Sequence, residues 1–162
     1  MQRNSRSRAA VALSAALLAA LVVAPGSLGS GVAMTRAESH LAALINRFRA
    51  AHGVRPLTVD PRLTRAARAH SRDMLRRGYF GHGALTARLR EFGIQAYPLG
   101  ENLAWGTGRS GEARAVLRIW LRSPWHRENM LNRRFHRVGL AMPVGRFAGF
   151  RYTRMVTADF SG

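Results

Sequence analysis

Val138-Gly-Leu-Ala-Met-Pro-Val-Gly-Arg-Phe-Ala-Gly-Phe-Arg-Tyr-Thr-Arg-Met-Val-Thr-Ala-Asp-Phe160 decides the fold class. Val138 to Met142 and Arg151 to Phe160 read as strands, being rich in apolar, β-branched and aromatic residues. Pro143 and the Gly145–Gly149 region separate them. The pattern predicts a terminal antiparallel hairpin.

Everything upstream has a different period. Thr35-Arg-Ala-Glu38 is a capping box, and Leu41, Leu44, Ile45 and Phe48 follow at helical spacing, so a first helix covers about 36–51. Arg55-Pro-Leu-Thr-Val59 is an extended link. Asp60-Pro61 supplies an N-cap and a proline at the first helical position. Leu63, Ala66, Ala67, His70 and Met74 then share one face of a second helix, which stops at Gly78. Leu85, Leu89 and Phe92 mark a short third helix ended by Gly93. Glu101-Asn-Leu-Ala-Trp105, between Gly100 and Gly106, is a strand or an extended turn. Ser110 is the expected cap of a fourth helix with Ala113, Val116, Leu117 and Trp120 on its inner face. Ser123-Pro124 restarts a helix through about Leu131. Helices first and strands last give an α+β class, with helices packed on a small antiparallel sheet.

The 162 residues suit one domain, two at most. Hydrophobic residues at 47% and charged residues at 21% exclude a disordered chain. There is no Cys, which removes disulfides, thiolate metal sites and thiol nucleophiles. All 26 basic residues are Arg, so Schiff-base chemistry and a P-loop lysine are excluded as well. The net charge of +18 favours an anionic partner. Arg3, Arg6 and Arg8 precede an apolar run from Ala9 to Ala24, shorter than the ~20 residues of a membrane span. Small residues follow at Gly31-Val32-Ala33. Residues 1–33 therefore read as a secretory signal cleaved near Ala33, leaving 34–162 as a single domain outside the cytoplasm, extracellular or periplasmic. An uncleaved anchor ranks second.

Three polar residues occupy unusual local settings. His82 lies in a glycine-flanked loop directly after a helix. Glu101 opens an otherwise apolar stretch. His126 lies in the first turn of a helix. Imidazoles suit a divalent transition metal, and a carboxylate can orient or deprotonate a water. No His-x-x-x-His or His-Glu-x-x-His spacing is present, so spacing alone favours ordinary loop histidines.

Resemblance reverses that ranking. Ala69-His-Ser-Arg-Asp-Met74 with Tyr79-Phe-Gly-His82, then Gly100-Glu-Asn-Leu-Ala-Trp-Gly106, then Trp120-Leu-Arg-Ser-Pro-Trp-His-Arg-Glu-Asn-Met-Leu131 and Val138-Gly-Leu appear in one order. Together they resemble the bacterial branch of the CAP superfamily, the cysteine-rich secretory, antigen-5 and pathogenesis-related group with SCP-like extracellular domains. The resemblance covers about residues 36–160. It implies an α-β-α sandwich with a central cleft where histidines and glutamates converge, able to hold zinc or another divalent cation. By motif, His82 and His126 are the metal histidines and Glu101 the acid. The family's second glutamate falls on Ser123 here. Glu112 and Glu128 are the substitutes to consider, though neither stands on the motif. With two imidazoles, the metal is expected to be weakly held.

His70, on the apolar face of its helix, is expected to be structural or to support the cleft from behind, together with Asn102, Ser123 and Glu112. Arg127, Arg133, Arg134 and Arg137 form a basic patch that can meet an anionic surface. The resemblance implies a secreted ligand-binding module for a lipid, a sterol or an envelope component. The alternatives are a metal-assisted hydrolase or peptidase using His82, His126 and Glu101, and an electrostatic binder of anionic polymer or lipid. No specific nucleic-acid partner is expected, because no nucleic-acid motif is present.

Overall fold

The structure, a computed structural model, describes residues 33–162. The segment read as an export signal thus lies outside the described residues, apart from its last position.

Helix α1 (Arg36–Ala51) starts where the capping box predicts, with the Thr35 hydroxyl accepting from Glu38 N–H and the Glu38 carboxylate from Thr35 N–H. Strand β1 (Thr58–Val59) occupies the extended link and pairs in parallel with β3 (Arg137–Ala141), which makes an otherwise antiparallel sheet mixed. Helix α2 (Pro61–Arg77) is capped by Asp60 and closed by Gly78 at φ 67°. A short α3 (Leu85–Glu91) follows. The stretch from Leu99 to Thr107 is a nine-residue strand, β2.

Two local expectations need correction. Ser110 does not cap the fourth helix: it sits in a single 3₁₀ turn (Gly108–Gly111), where its hydroxyl accepts from Thr107 N–H and donates to Thr107 C=O. Helix α4 (Ala113–Arg122) begins after Glu112, whose side chain makes no capping bond. Ser123 precedes α5 (Pro124–Leu131), also without a side-chain cap. The terminal hairpin is richer than expected. Its turn region contains strand β4 (Val144–Phe147), which pairs with the start of β5 (Phe150–Ser161) around Ala148 and Gly149. The end of β5 pairs with β3, so one long strand serves two short neighbours.

The strand order β1-β3-β5-β2 leaves β2 at an edge. Side chains alternate along β5. Val156, Ala158 and Phe160 join Leu41, Ile45, Val116 and Trp120 in the core beneath α1, α4 and α5. Met155 faces the other way, with Leu103 and Met74 of α2. A smaller apolar group, Leu63, Ala66, Leu89 and Ile94, joins α2 to α3. Helices thus cover both faces of the sheet, the α-β-α sandwich expected for this chain. The close approach of α2 to β3 depends on Gly139: a Cβ there would lie 2.1 Å from the Leu63 carbonyl carbon.

Candidate functional site

The edge position of β2 lets residues from both helical layers meet around one strand. Along β2, Glu101 points toward α2, whereas Asn102 points toward α5. Gly100 makes room for this, since a Cβ there would sit 2.6 Å from the Phe135 ring. Asn102 Nδ2 donates to the His126 carbonyl at 2.9 Å, and Asn129 Nδ2 donates to Asn102 Oδ1 at 2.9 Å and to the Glu101 carbonyl at 3.1 Å. The two asparagines lock α5 onto the strand that carries Glu101.

Glu101 is buried and gathers most of the site. Its Oε1 lies 2.7 Å from His82 Nδ1, and its Oε2 lies 2.5 Å from Arg88 Nη2 and 3.6 Å from His70 Nε2. Burial pushes the Glu101 carboxyl up to about 7, against the pull of the Arg88 guanidinium. His70 is 4% exposed, and its Nε2 lies 3.0 Å from the Gly81 carbonyl. A carbonyl can only accept, so Nε2 carries the proton. Burial, reinforced by Arg88, lowers the His70 imidazole to about 4, which keeps it neutral near pH 7. His70 therefore fixes the Gly81–His82 loop from behind.

His82 is the solvent face of this cluster, its side chain 59% exposed. Its main-chain carbonyl accepts from Arg88 Nη1 at 3.0 Å, so both its backbone and its ring are held. His126 approaches from α5, close enough for His82 to influence its charge. Burial first, and His82 second, lower the His126 imidazole below its usual range. Its Nδ1 is buried and has no hydrogen-bond partner among the described residues. The indole of Trp120 lies beside it, ring centroids 6.3 Å apart.

Two members of the site were not singled out from the sequence. Asp159 of β5 is the direct cross-strand partner of Glu101 and is fully buried. Arg88 Nη2 reaches its Oδ1 at 3.4 Å, while Oδ2 has no hydrogen-bond partner among the described residues. Burial, with Glu101 alongside, raises the Asp159 carboxyl well above the usual carboxylate range. The signal for Asp159 was available, since it is the one acid inside an apolar strand. Arg88 carried no signal among so many arginines.

Ser123 sits at the α4–α5 joint, half-buried. Glu112 is elsewhere: it lines a separate cavity with Arg36, His40 and Arg154, because the 3₁₀ turn after β2 carries the start of α4 away from Glu101. Glu128 is exposed. Neither takes the place of the missing glutamate; Asp159 is the second acid beside Glu101. Arg127, Arg133, Arg134 and Arg137 are all exposed.

The donor set can be tested against a divalent ion. His82 has one ring nitrogen engaged by a carboxylate, the arrangement that orients metal-ligating histidines, and its other nitrogen is available. His126 contributes a buried ring nitrogen without a hydrogen-bond partner among the described residues, and burial disfavours its charged form. These fit an ion completed by water. A closed structural site needs four protein ligands, and among the described residues no group of three or more His, Asp or Glu is arranged to hold a metal ion.

A family model described as the cysteine-rich secretory protein family, CAP, matches residues 42–157. The chain is 35% identical over 108 residues to a Bacillus subtilis protein named uncharacterized protein YkwD, covering 64% of this chain and 41% of that one. It spans less than half the length of the curated relatives it matches. Among solved structures it is similar to an extracellular SCP-domain protein from Bacillus anthracis, with TM-score 0.64, 29% identity, and coverage of 76% of this chain and 39% of that one. An outer surface protein of Borrelia burgdorferi shares the fold at TM-score 0.66 and 19% identity, over 76% of this chain and 90% of that one. Cross-strand acids, paired asparagines and an α-β-α frame without a single cysteine therefore sit in a chain that belongs to the CAP family.

Proposed function

We propose that this chain is the ligand-binding CAP module of an extracellular protein, and that a lipid or other envelope component enters over His82 and His126. Similarity to an extracellular SCP-domain protein and to an outer surface protein supports the location. No described helix is long and apolar enough to cross a membrane. The observation that carries the reading is the exposure of two large aromatic residues next to the imidazoles in the chain: Phe80, two residues before His82, is 45% exposed, and Trp125, directly before His126, is 78% exposed. Large apolar side chains flanking a polar mouth are a common way to hold an amphipathic ligand. His82 and His126 would hold a divalent ion, zinc being the match for two imidazoles, and such an ion supplies Lewis acidity when bound. The test is tryptophan emission of the chain titrated with a sterol, a phospholipid and a cell-wall glycan, each with and without zinc. One class should shift the emission, and Trp125→Phe or the His82→Ala/His126→Ala pair should remove the shift. Silence with all three classes sinks the reading.

A metal-assisted hydrolase is the second reading, and Glu101 favours it. A buried carboxyl near 7 that touches an exposed imidazole is suited to accept or return a proton. Peptide-library turnover that disappears in Glu101→Gln supports it; no turnover by the native chain with zinc or manganese rejects it. Electrostatic adhesion through Arg127, Arg133, Arg134 and Arg137 would show instead as vesicle or wall-polymer binding that collapses at high salt.

A further inference from the structure

The cavity that received Glu112 has a chemistry of its own. It measures about 380 Å³ and is lined by Arg36 and His40 of α1, by Glu112, Ala113 and Arg114 at the start of α4, and by Arg154 of β5. Three arginines and one glutamate thus border the same space. Among the described residues neither the three arginines nor Glu112 takes part in a salt bridge. Arg154 reaches only the Gly111 carbonyl, at 3.4 Å from Nη1, and its Nε is buried with no partner. A buried donor left open inside a cationic cavity calls for an acceptor. The ten-residue helix α4 opens onto the same space without a side-chain cap, so its first N–H groups and the positive end of its dipole add to the demand.

We propose that this cavity is a binding site for a phosphoryl group. Arg36, Arg114 and Arg154 supply the charge, the start of α4 supplies main-chain donors, and Glu112 at the rim is the one acid that opposes an incoming phosphate. More than one negative charge is needed to balance three guanidinia against one carboxylate, which favours phosphate over a carboxylate ligand. Planar guanidinium forks match two phosphate oxygens at once. The volume admits a phosphate with a small ester group. The site shares no lining residue with His82, His126 or Glu101, so it does not depend on the function proposed above.

The experiment is calorimetric titration of the full chain with inorganic phosphate and with glycerol 3-phosphate. Saturable one-to-one binding is expected. Arg114→Gln with Arg154→Gln should weaken it by about tenfold or more. The control, Arg133→Gln with Arg134→Gln, removes the same charge from the exposed patch and should leave affinity within about twofold. Arg114→Gln alone, at an exposed position that cannot unfold the chain, should weaken binding severalfold, whereas Glu112→Gln should tighten it. His82→Ala should change nothing. Equal weakening by both arginine pairs, or no saturable binding of either phosphate, overturns the proposal. Vesicles of phosphatidylglycerol distinguish the sources: competition with glycerol 3-phosphate supports the site as one for a lipid headgroup, and lack of competition supports it as one for a soluble ester.

Discussion

Glu101 and Asp159 stand directly opposite each other on β2 and β5, both buried, and the Arg88 guanidinium reaches an oxygen of each. Like charges paired across a sheet repel, and burial strengthens the repulsion. The arrangement persists because one cation lies between the acids and because their raised affinity for protons lets one of them stay neutral. Arg88 also fastens the His82 carbonyl, so the residue that stabilises the acids sets the loop bearing the exposed imidazole.

Arg88→Met should therefore act on charge and shape together. The stem of the side chain keeps its packing, but both acids lose their cation. The Glu101 carboxyl should titrate above 7, and stability should fall by about 3 kcal/mol, the scale for removing one partner of a buried ion pair. Carboxyl-carbon NMR titration reads the first effect and urea unfolding the second. A Glu101 that titrates lower in this variant contradicts the arrangement.

The acids and histidines push stability in opposite directions with pH. Glu101 is raised on folding, so the folded chain holds a proton that the unfolded chain releases near pH 4.3. Its contribution is complete below that value and is lost as pH rises through about 7. His70 is lowered to about 4, so its contribution is present above pH ~6.5 and is lost as pH falls toward 4. Glu101→Gln cannot titrate. Its melting temperature relative to the native chain should rise steadily between pH 5 and 7.5, the range spanning the Glu101 titration. A constant offset across that range rejects the raised carboxyl.

Much of this molecule could be read before its coordinates. The Thr35–Glu38 box, the Asp60-Pro61 start and the Gly78 stop are local signals, each satisfied by atoms within four residues, and the structure places α1 and α2 accordingly. The candidates His82, Glu101 and His126 came from motifs rather than spacing, because they lie far apart in the chain: folding sets the His82 ring against Glu101, while the His126 carbonyl is held by Asn102 of the edge strand β2. Long-range partners stayed hidden. Nothing local marks Arg88 as the cation between two acids, or places Asp159 opposite Glu101, because cross-strand register is set by the whole sheet. Glu112 misled for the same reason. It was a substitute to consider for the family's second glutamate, and one 3₁₀ turn placed it in another cavity.

Gly139→Ala tests how tightly α2 sits on the sheet. The added methyl would meet main-chain atoms, 2.1 Å from the Leu63 carbonyl carbon and 2.2 Å from Thr64 N, and neither can rotate away. The helix must shift, taking His70 with it. A loss of about 3 kcal/mol is expected from such overpacking. Gly78→Ala meets open space and pays only for its left-handed φ of 67°, about 1 kcal/mol. Denaturant midpoints should separate the two clearly, and equal midpoints contradict the contact.

Arg49 offers the sharpest test of how the cleft is held without disulfides. It is fully buried and has no acid partner; its guanidinium instead donates to four carbonyls. Nε reaches Arg55 at 2.8 Å, Nη1 reaches Met130 at 2.8 Å and Asn132 at 3.1 Å, and Nη2 reaches Phe135 at 3.0 Å. Met130 and Asn132 lie at the end of α5, where helix carbonyls lack intrahelical partners. One side chain of α1 thus closes the helix whose first turn presents His126. Arg49→Met keeps the apolar stem and leaves the four carbonyls open, at a cost of about 3 kcal/mol or more. Arg49→Lys, with a single rotating ammonium, should recover only part of that. Hydrogen exchange should report faster opening of α5 than of α2 in both variants. Uniform acceleration through the whole fold would mean that Arg49 stabilises the core in general and does not anchor the helix that carries His126.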